Sequence, residues 1–307
     1  MFNRVGELFL VRPHSLTEEE LSLYKEFSFQ NFLFFKEHFE QDFQAYLEEL
    51  KKRVKKLKLL AVDQEGGRVA RISGEFEAPL EMAKKSEKEG LEIFKSWAER
   101  IAKSLKEHKL NTNLAPVVDL AEEEAEDFLR GRTLGEDPYK VTHLASLFIK
   151  THQKWGIKTT LKHFPGLGEV KIDPHKELPV KEKVSPKDLI PYIELSQEVD
   201  FIMTTHLILR EWDNFPITFS SRAVKFLREN LSYRGAILTD DLNMGALKEL
   251  ELPERIVRAI ASGHNLLIFC GSFQELISAL EDLKPELEKS SYLRSKIKES
   301  LTILERY

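Results

Sequence analysis

Between Leu161 and Pro179 the chain reads LKHFPGLGEVKIDPHKELP, a Lys162-His163 pair followed by two glycines, two internal prolines and Asp173-Pro174-His175. Gly and Pro at this density exclude a regular helix or strand. Aspartate two residues before histidine, across a ring that stiffens the link, makes an orienting pair in which the carboxylate holds the imidazole and raises its proton affinity. Such a histidine serves as general acid and base near neutral pH. The block AVDQEGGRVARI, residues 61–72, sets Asp63, Arg68 and Arg71 around a Gly66-Gly67 pair. A glycine pair allows a tight turn or close approach of a ligand to backbone, and hydroxyl acceptors beside planar donors suit a polyhydroxylated ligand. The block DDLNMG ends an apolar run in Asp240-Asp241. Adjacent residues in extended chain point to opposite sides, so one carboxylate faces a site while the other binds backbone.

Each of these side chains also has a plainer use. A strand-end Asp caps helices, a Gly-Gly-Arg turn carries surface ion pairs, and a loop histidine needs no task. Position argues for more. Eight short apolar runs alternate with amphipathic, helix-spaced segments: GELFLV near the start, FLFF at 32–35, KLLAVD at 58–63, TNLAPVVD at 112–119, IKTTLKHF at 157–164, DFIMTTH at 200–206, RGAILTDD at 234–241 and NLLIFCG at 265–271. Strand then helix, repeated eight times, predicts an α/β fold of the (β/α)8 TIM-barrel type, with an open doubly wound sheet as the alternative. Five of the runs end in polar groups: Asp63, Asp119, Lys162-His163, His206 and Asp240-Asp241. In a barrel those ends share one face, where such enzymes carry their chemistry. No low-complexity linker interrupts the series, so residues 1–307 are expected to form one domain. A charged helical tail from about Pro285 is expected to cover the last strand.

Composition narrows the partners. Lys and Arg number 46 against 51 Asp and Glu, a net charge of -5 with pI near 6.1, which gives no basic footprint for nucleic acid. The charged fraction, 32%, is rich in Lys and Glu, compatible with a thermophilic source and equally with well-solvated helix faces. No signal peptide and no apolar run of about 20 residues is present, so a soluble cytoplasmic protein, not a membrane protein, is expected. The single cysteine, Cys270, can form no internal disulfide and no Cys metal cluster, and reads as a buried small hydrophobe. A metal set from His163, His175 and His206 lacks the His-x-His of barrel metal hydrolases. No metal and no cofactor is expected. Neither GxxxxGK(S/T) nor GxGxxG occurs, which excludes a phosphate loop.

Taken together and in order, AVDQEGGRVARI, NLAPVVDL, KTTLKHFPGLGEVKIDPHKELP and LTDDLNMGA resemble the bacterial β-N-acetylglucosaminidases of glycoside hydrolase family 3, the cytoplasmic NagZ type of cell-wall recycling. The resemblance covers about residues 5–270. It implies a barrel without the second domain that many relatives carry, and an exo-acting, retaining hydrolase that removes N-acetylglucosamine from anhydro-muropeptides. It also implies Asp240 as nucleophile, His175 as acid/base with Asp173 its partner, and Asp63, Arg71, Arg132, Lys162 and His163 as sugar-binding residues. A small sugar or muropeptide would be the partner, with the oligomeric state open and a monomer favoured. Two departures stand out: Leu167 where the family usually has His, and Pro174 where it usually has Ser. Other readings remain: a β-glycoside phosphorylase or another glycosidase of the family, since a neutral His does not repel an anionic acceptor; a barrel using Lys162 as a Schiff base; or a sugar-binding protein without turnover, suggested by Leu167 alone.

Overall fold

The computed structural model describes residues 2–54, 56–121 and 125–307. Among them are ten strands: β1 (Phe9–Val11), β2 (Asn31–Phe34), β3 (Leu59–Val62), β4 (Thr112–Asn113), β5 (Thr160–Phe164), β6 (Val180–Lys181), β7 (Phe201–Thr204), β8 (Ile208–Leu209), β9 (Ala236–Leu238) and β10 (Leu267–Phe269). Eight of them close into the expected barrel. One run pairs in the order β10-β1-β2-β3-β4 and a second in the order β5-β7-β9, all parallel. Parallel bridges from Thr112 to Lys158 and from Val117 to Lys162 join the runs on one side, and Leu238 to Leu266 joins them on the other. The barrel strands are buried along their whole length, as runs of Leu, Val, Ile and Phe demand when helices cover the outer face.

The helices follow their sequence signals. Asp137 accepts a hydrogen bond from the Lys140 N–H and Pro138 opens helix Pro138–Lys154, a capped start with proline where no donor is needed. Helix Leu91–Glu107 buries Phe94, Trp97, Ile101 and Leu105 at three- and four-residue spacing.

Local differences from the sequence expectation have local causes. Residues Phe2–Leu8 form a 3-10 turn, so the first strand starts only at Phe9. Gly6 spends its N–H on the Phe27 carbonyl at 2.9 Å, and a Cβ there would lie 2.5 Å from that oxygen. The fourth expected strand shrinks to two residues because Pro116 has no N–H to give the ladder; Val118 resumes it by donating to the Lys162 carbonyl at 2.8 Å. Beyond the barrel, β6 and β8 pair with each other in a short ribbon that apolar alternation does not announce. The tail is also corrected. Pro285 lies inside helix Phe273–Lys289, and a separate helix Ser291–Leu304 starts at a Ser290 cap. That last helix lies under the barrel: Lys58, just before β3, donates to the Leu304 carbonyl at 3.1 Å. Tyr307 accepts from the Ala236 N–H at 3.1 Å and donates to the Asp200 carbonyl at 2.8 Å, at the starts of β9 and β7.

Tyr307→Phe leaves the Ala236 N–H without its partner, and an unmade buried hydrogen bond costs about 1–3 kcal/mol. Urea unfolding should show a loss in that range with an unchanged slope; an unchanged midpoint would mean that Ala236 does not depend on this hydroxyl.

Candidate active site

The C-terminal ends of the strands surround a cavity of ≈ 530 Å³. Asp63, Arg71, Arg132, Lys162, His163, Asp173, His175 and Asp240 all line it. The eight residues singled out from sequence are thus brought together, from β5 and from the segments that follow β3, β4, β5 and β9.

The floor is a buried charge network. Lys162, on β5, donates to Asp63 at 2.7 Å and lies 2.6 Å from Glu65. Arg132 grips Glu65 with two parallel bonds of 2.8 Å and gives a third to the Phe128 carbonyl at 2.8 Å. The Glu65 and Lys162 side chains are 1% and 3% exposed, so the charges sit where each demands a partner. Burial pushes the Glu65 carboxyl up, yet Arg132 and Lys162 hold it far below the usual carboxylate range. Burial likewise works against the Lys162 ammonium, and Asp63 and Glu65 hold it above its ordinary value. A lysine kept protonated in this way is not the free amine that a Schiff base requires. Arg132 therefore has a structural load that the sequence did not suggest.

His163, the next residue, is paired through Nδ1 with Asp119 at 2.7 Å. Asp119, 1% exposed, also accepts the Leu167 N–H at 2.7 Å and that of His163 at 3.3 Å. One carboxylate thus fixes both the ring and the start of the following loop. The Leu167 side chain packs with Val117, Phe128, Leu129, Val170 and Leu207 in a small satellite core. The residue that departs from the family pattern is an apolar plug at the base of the loop.

Beyond that base, Asp173 accepts from the His175 N–H at 3.0 Å and pairs with its Nδ1 at 2.7 Å. The His175 side chain is 59% exposed at the cavity edge, with Nε2 as its other ring nitrogen. Burial pushes the Asp173 carboxyl up, but the two His175 contacts hold it below its ordinary value.

The adjacent carboxylates after β9 are pushed apart. Burial raises both. For Asp240 the field of His163 and the Asp241 N–H, which donates at 2.8 Å, bring the result below the ordinary value. Asp241 accepts the Asn243 and Cys270 N–H groups at 3.0 Å each, yet is pushed up to about 6 by burial and the Asp240 charge. The expected division is one of degree: both carboxylates line the cavity and both accept backbone N–H groups, Asp240 one and Asp241 two. His206, fully buried, steadies this turn. Its Nε2 donates to the Asp241 carbonyl at 2.8 Å, and its Nδ1 pairs with the Thr218 hydroxyl at 2.6 Å, which also reaches the Thr205 carbonyl at 3.2 Å. Burial lowers the proton affinity of the ring. With both nitrogens engaged, His206 does not converge with His163 and His175. Among the described residues no group of three or more His, Cys, Asp or Glu is placed to hold a metal ion.

Sequence reasoning missed Glu65 and Phe35. Glu65 carries no local signal: its role shows only once the fold buries Lys162 and Arg132 beside it. Phe35 lines the cavity beneath the Arg71 guanidinium, 5.5 Å from its ring centre, with Arg12 at 5.0 Å; only the closed barrel reveals that stacking. Cys270 is corrected from a buried hydrophobe to a partly exposed residue of the cavity wall.

A closed parallel barrel with paired carboxylates, lysine and histidine on its C-terminal face defines an α/β-barrel enzyme with a strand-end site. The model of the glycosyl hydrolase family 3 N terminal domain matches residues 3–305, and the chain belongs to that family. A Beta-hexosaminidase of Photobacterium profundum is 32% identical over 289 residues, 91% of this chain and 86% of that one. Among solved structures, a family 3 β-N-acetylglucosaminidase from Paenibacillus sp. str. FPU-7 superposes with a TM-score of 0.87 at 23% identity. This chain, matched over its full length, spans 61% of that protein. A Beta-N-acetylhexosaminidase from Beutenbergia cavernae matches with a TM-score of 0.86 at 21% identity, over 99% of this chain and 97% of that one. No helix among the described residues is long and apolar enough to cross a membrane.

Glu65→Gln leaves Lys162 and Arg132 short of one buried negative charge, and breaking such a set costs about 3–5 kcal/mol. Glu65 is depressed in the folded state, so its contribution is full above the ordinary carboxylate range and fades as pH falls below it. Unfolding of wild type and variant should differ by a constant amount from neutral pH to about 5.5, above the usual Glu value, and converge in acid. A gap that widens in acid would contradict this charge assignment.

Proposed function

We propose that the protein is a retaining exo-β-N-acetylglucosaminidase. The observation that carries the reading is one cavity holding an ionised carboxylate, Asp240, and a carboxylate-oriented histidine, His175, as separate groups. Retention needs a nucleophile at the anomeric carbon and a proton donor at the leaving oxygen.

Asp240 attacks the anomeric carbon as the bond to the leaving oxygen breaks, and the Nε2 proton of His175 passes to that oxygen. The result is a glycosyl ester on Asp240. Water then gives a proton to Nε2 and attacks the same carbon, which frees the sugar and restores the Asp240 carboxylate. Asp173 favours the charged imidazole in the first step by its contact with Nδ1. Asp63, Lys162 and His163, held by the network beneath, present acceptors and donors to ring hydroxyls. Arg71 has its backbone N–H on the Gln64 side chain at 2.7 Å, and Arg132 keeps two N–H donors beyond its three bonds.

N-acetylglucosamine as the sugar is supported by the likeness to the Paenibacillus β-N-acetylglucosaminidase. The muropeptide fragment as the natural substrate, and a cytoplasmic monomer as the working form, rest on the motif resemblance.

Asp240→Asn should abolish release of nitrophenol from 4-nitrophenyl N-acetyl-β-glucosaminide by about 10³-fold or more, as loss of a covalent nucleophile does. His175→Ala should cost kcat/KM for a sugar or alkyl glycoside about 10²–10⁴-fold, the range of a general acid, and kcat/KM for the aryl glycoside, whose leaving group needs no proton, far less. Undiminished turnover in Asp240→Asn would move the chemistry to another carboxylate. Equal losses on both substrates in His175→Ala would end its acid role.

A further inference from the structure

The loop that carries His175 is held at its tip by the turn that follows the two carboxylates. The Gly245 N–H donates to the His175 carbonyl at 3.1 Å, and the Ala246 N–H donates to the Pro174 carbonyl at 3.2 Å. These two bonds run backbone to backbone between the two segments that bear His175 and Asp240. They form only because residue 245 lacks a side chain. A Cβ there would lie 2.5 Å from the His175 oxygen and 2.6 Å from the Lys176 oxygen. Both obstacles are main-chain atoms, which no rotamer change removes. The conformation of Gly245 does not itself call for glycine. It opens the 3-10 turn Gly245–Leu247 and lies outside the left-handed region in which the positive-φ glycines of this chain fall. The need is one of contact alone.

The geometry points to Gly245 as a positioning residue that sets His175 against Asp240 by clasping the loop tip to the carboxylate turn. This rests on the acid/base reading of His175 and deepens it. The clasp fixes how far the proton donor stands from the nucleophile, through backbone rather than through either side chain. The exposed tip, with Lys171 and Lys176 on either side of the Asp173–His175 pair, has no other described backbone bond to the carboxylate turn.

Gly245→Ala separates positioning from folding. Alanine fits the local conformation, but its Cβ meets the His175 and Lys176 carbonyls, so the tip must shift off the turn and thermal stability should fall only slightly, by the loss of two exposed-tip bonds. Trypsin cleavage at Lys171 and Lys176 should accelerate by about tenfold, reporting a tip that spends more time undocked. With a sugar or alkyl β-N-acetylglucosaminide, kcat/KM should fall by about tenfold, part of what a positioned acid supplies, while kcat/KM for the aryl glycoside stays near wild type. His175→Ala is measured in parallel. If it shows the acid-dependent loss while Gly245→Ala has wild-type kinetics, this proposal fails alone. If His175→Ala loses equally on both substrates, the acid/base reading fails and takes the proposal with it. A Gly245→Ala protein that loses both rates together with its thermal stability would show a folding role instead.

Discussion

Everything at the cavity floor depends on neutralising Lys162. It sits at the end of β5 with almost no exposure, and its ammonium touches two carboxylates. Opposite charges about 4 Å apart gain about 4 kcal/mol at an effective dielectric near 20, while each buried ion loses several kcal/mol of hydration. The balance is therefore narrow and favours the fold only if the charges match in number and place. Arg132 matches them, contributing a second cation from a loop far along the chain. The four groups tie the turn after β3, the strand end of β5 and the Arg132 loop into one unit. Substrate contacts made by Asp63 or Lys162 thus draw on side chains whose positions are already fixed, and little ordering remains for the ligand to bring about.

The same contest between burial and partners separates Asp240 from Asp241. Neighbours in sequence, they share a dielectric environment but not a set of contacts. Asp241 receives two backbone donors and still rises, because burial outweighs them and the Asp240 charge adds to it. Asp240 faces histidines and falls. His206 holds the peptide of the turn in place through the Asp241 carbonyl, so the nucleophile candidate is aimed through its backbone.

The legibility of these features in the sequence follows their range. The barrel strands are legible because burial on both faces makes them continuous apolar runs, and the polar residues that end them are legible by contrast. Thus Asp63, Lys162, His163 and Asp240 stand out at once. Asp173 and His175 are legible because their pairing is local, two residues apart. Glu65 is hidden because its meaning lies in Arg132, distant in sequence, and nothing local distinguishes it from a surface Glu. Phe35 is hidden for the same reason: it becomes part of a cavity wall only when β2 and β3 meet in register and bring Arg71 above it. The two-residue β4 and the β6–β8 ribbon escape notice because their short pairings leave no periodic pattern. The final helix shares its amphipathic signature with any covering helix, and its place under the barrel is set by Lys58, Asp200 and Ala236.

The apolar plug at Leu167 has a mechanical meaning. With Leu167 and Val170 seated in the satellite core and the Pro179 carbonyl bound by the Ile208 N–H at 2.9 Å, the chain is tethered on both sides of His175. Extended backbone reaches about 3.5 Å per residue, and His175 stands five residues from Val170 and four from Pro179. The shorter strap bounds its excursion to about 14 Å. The imidazole is on a leash: the two tethers, not the side chain, set how far from the cavity mouth it can stand.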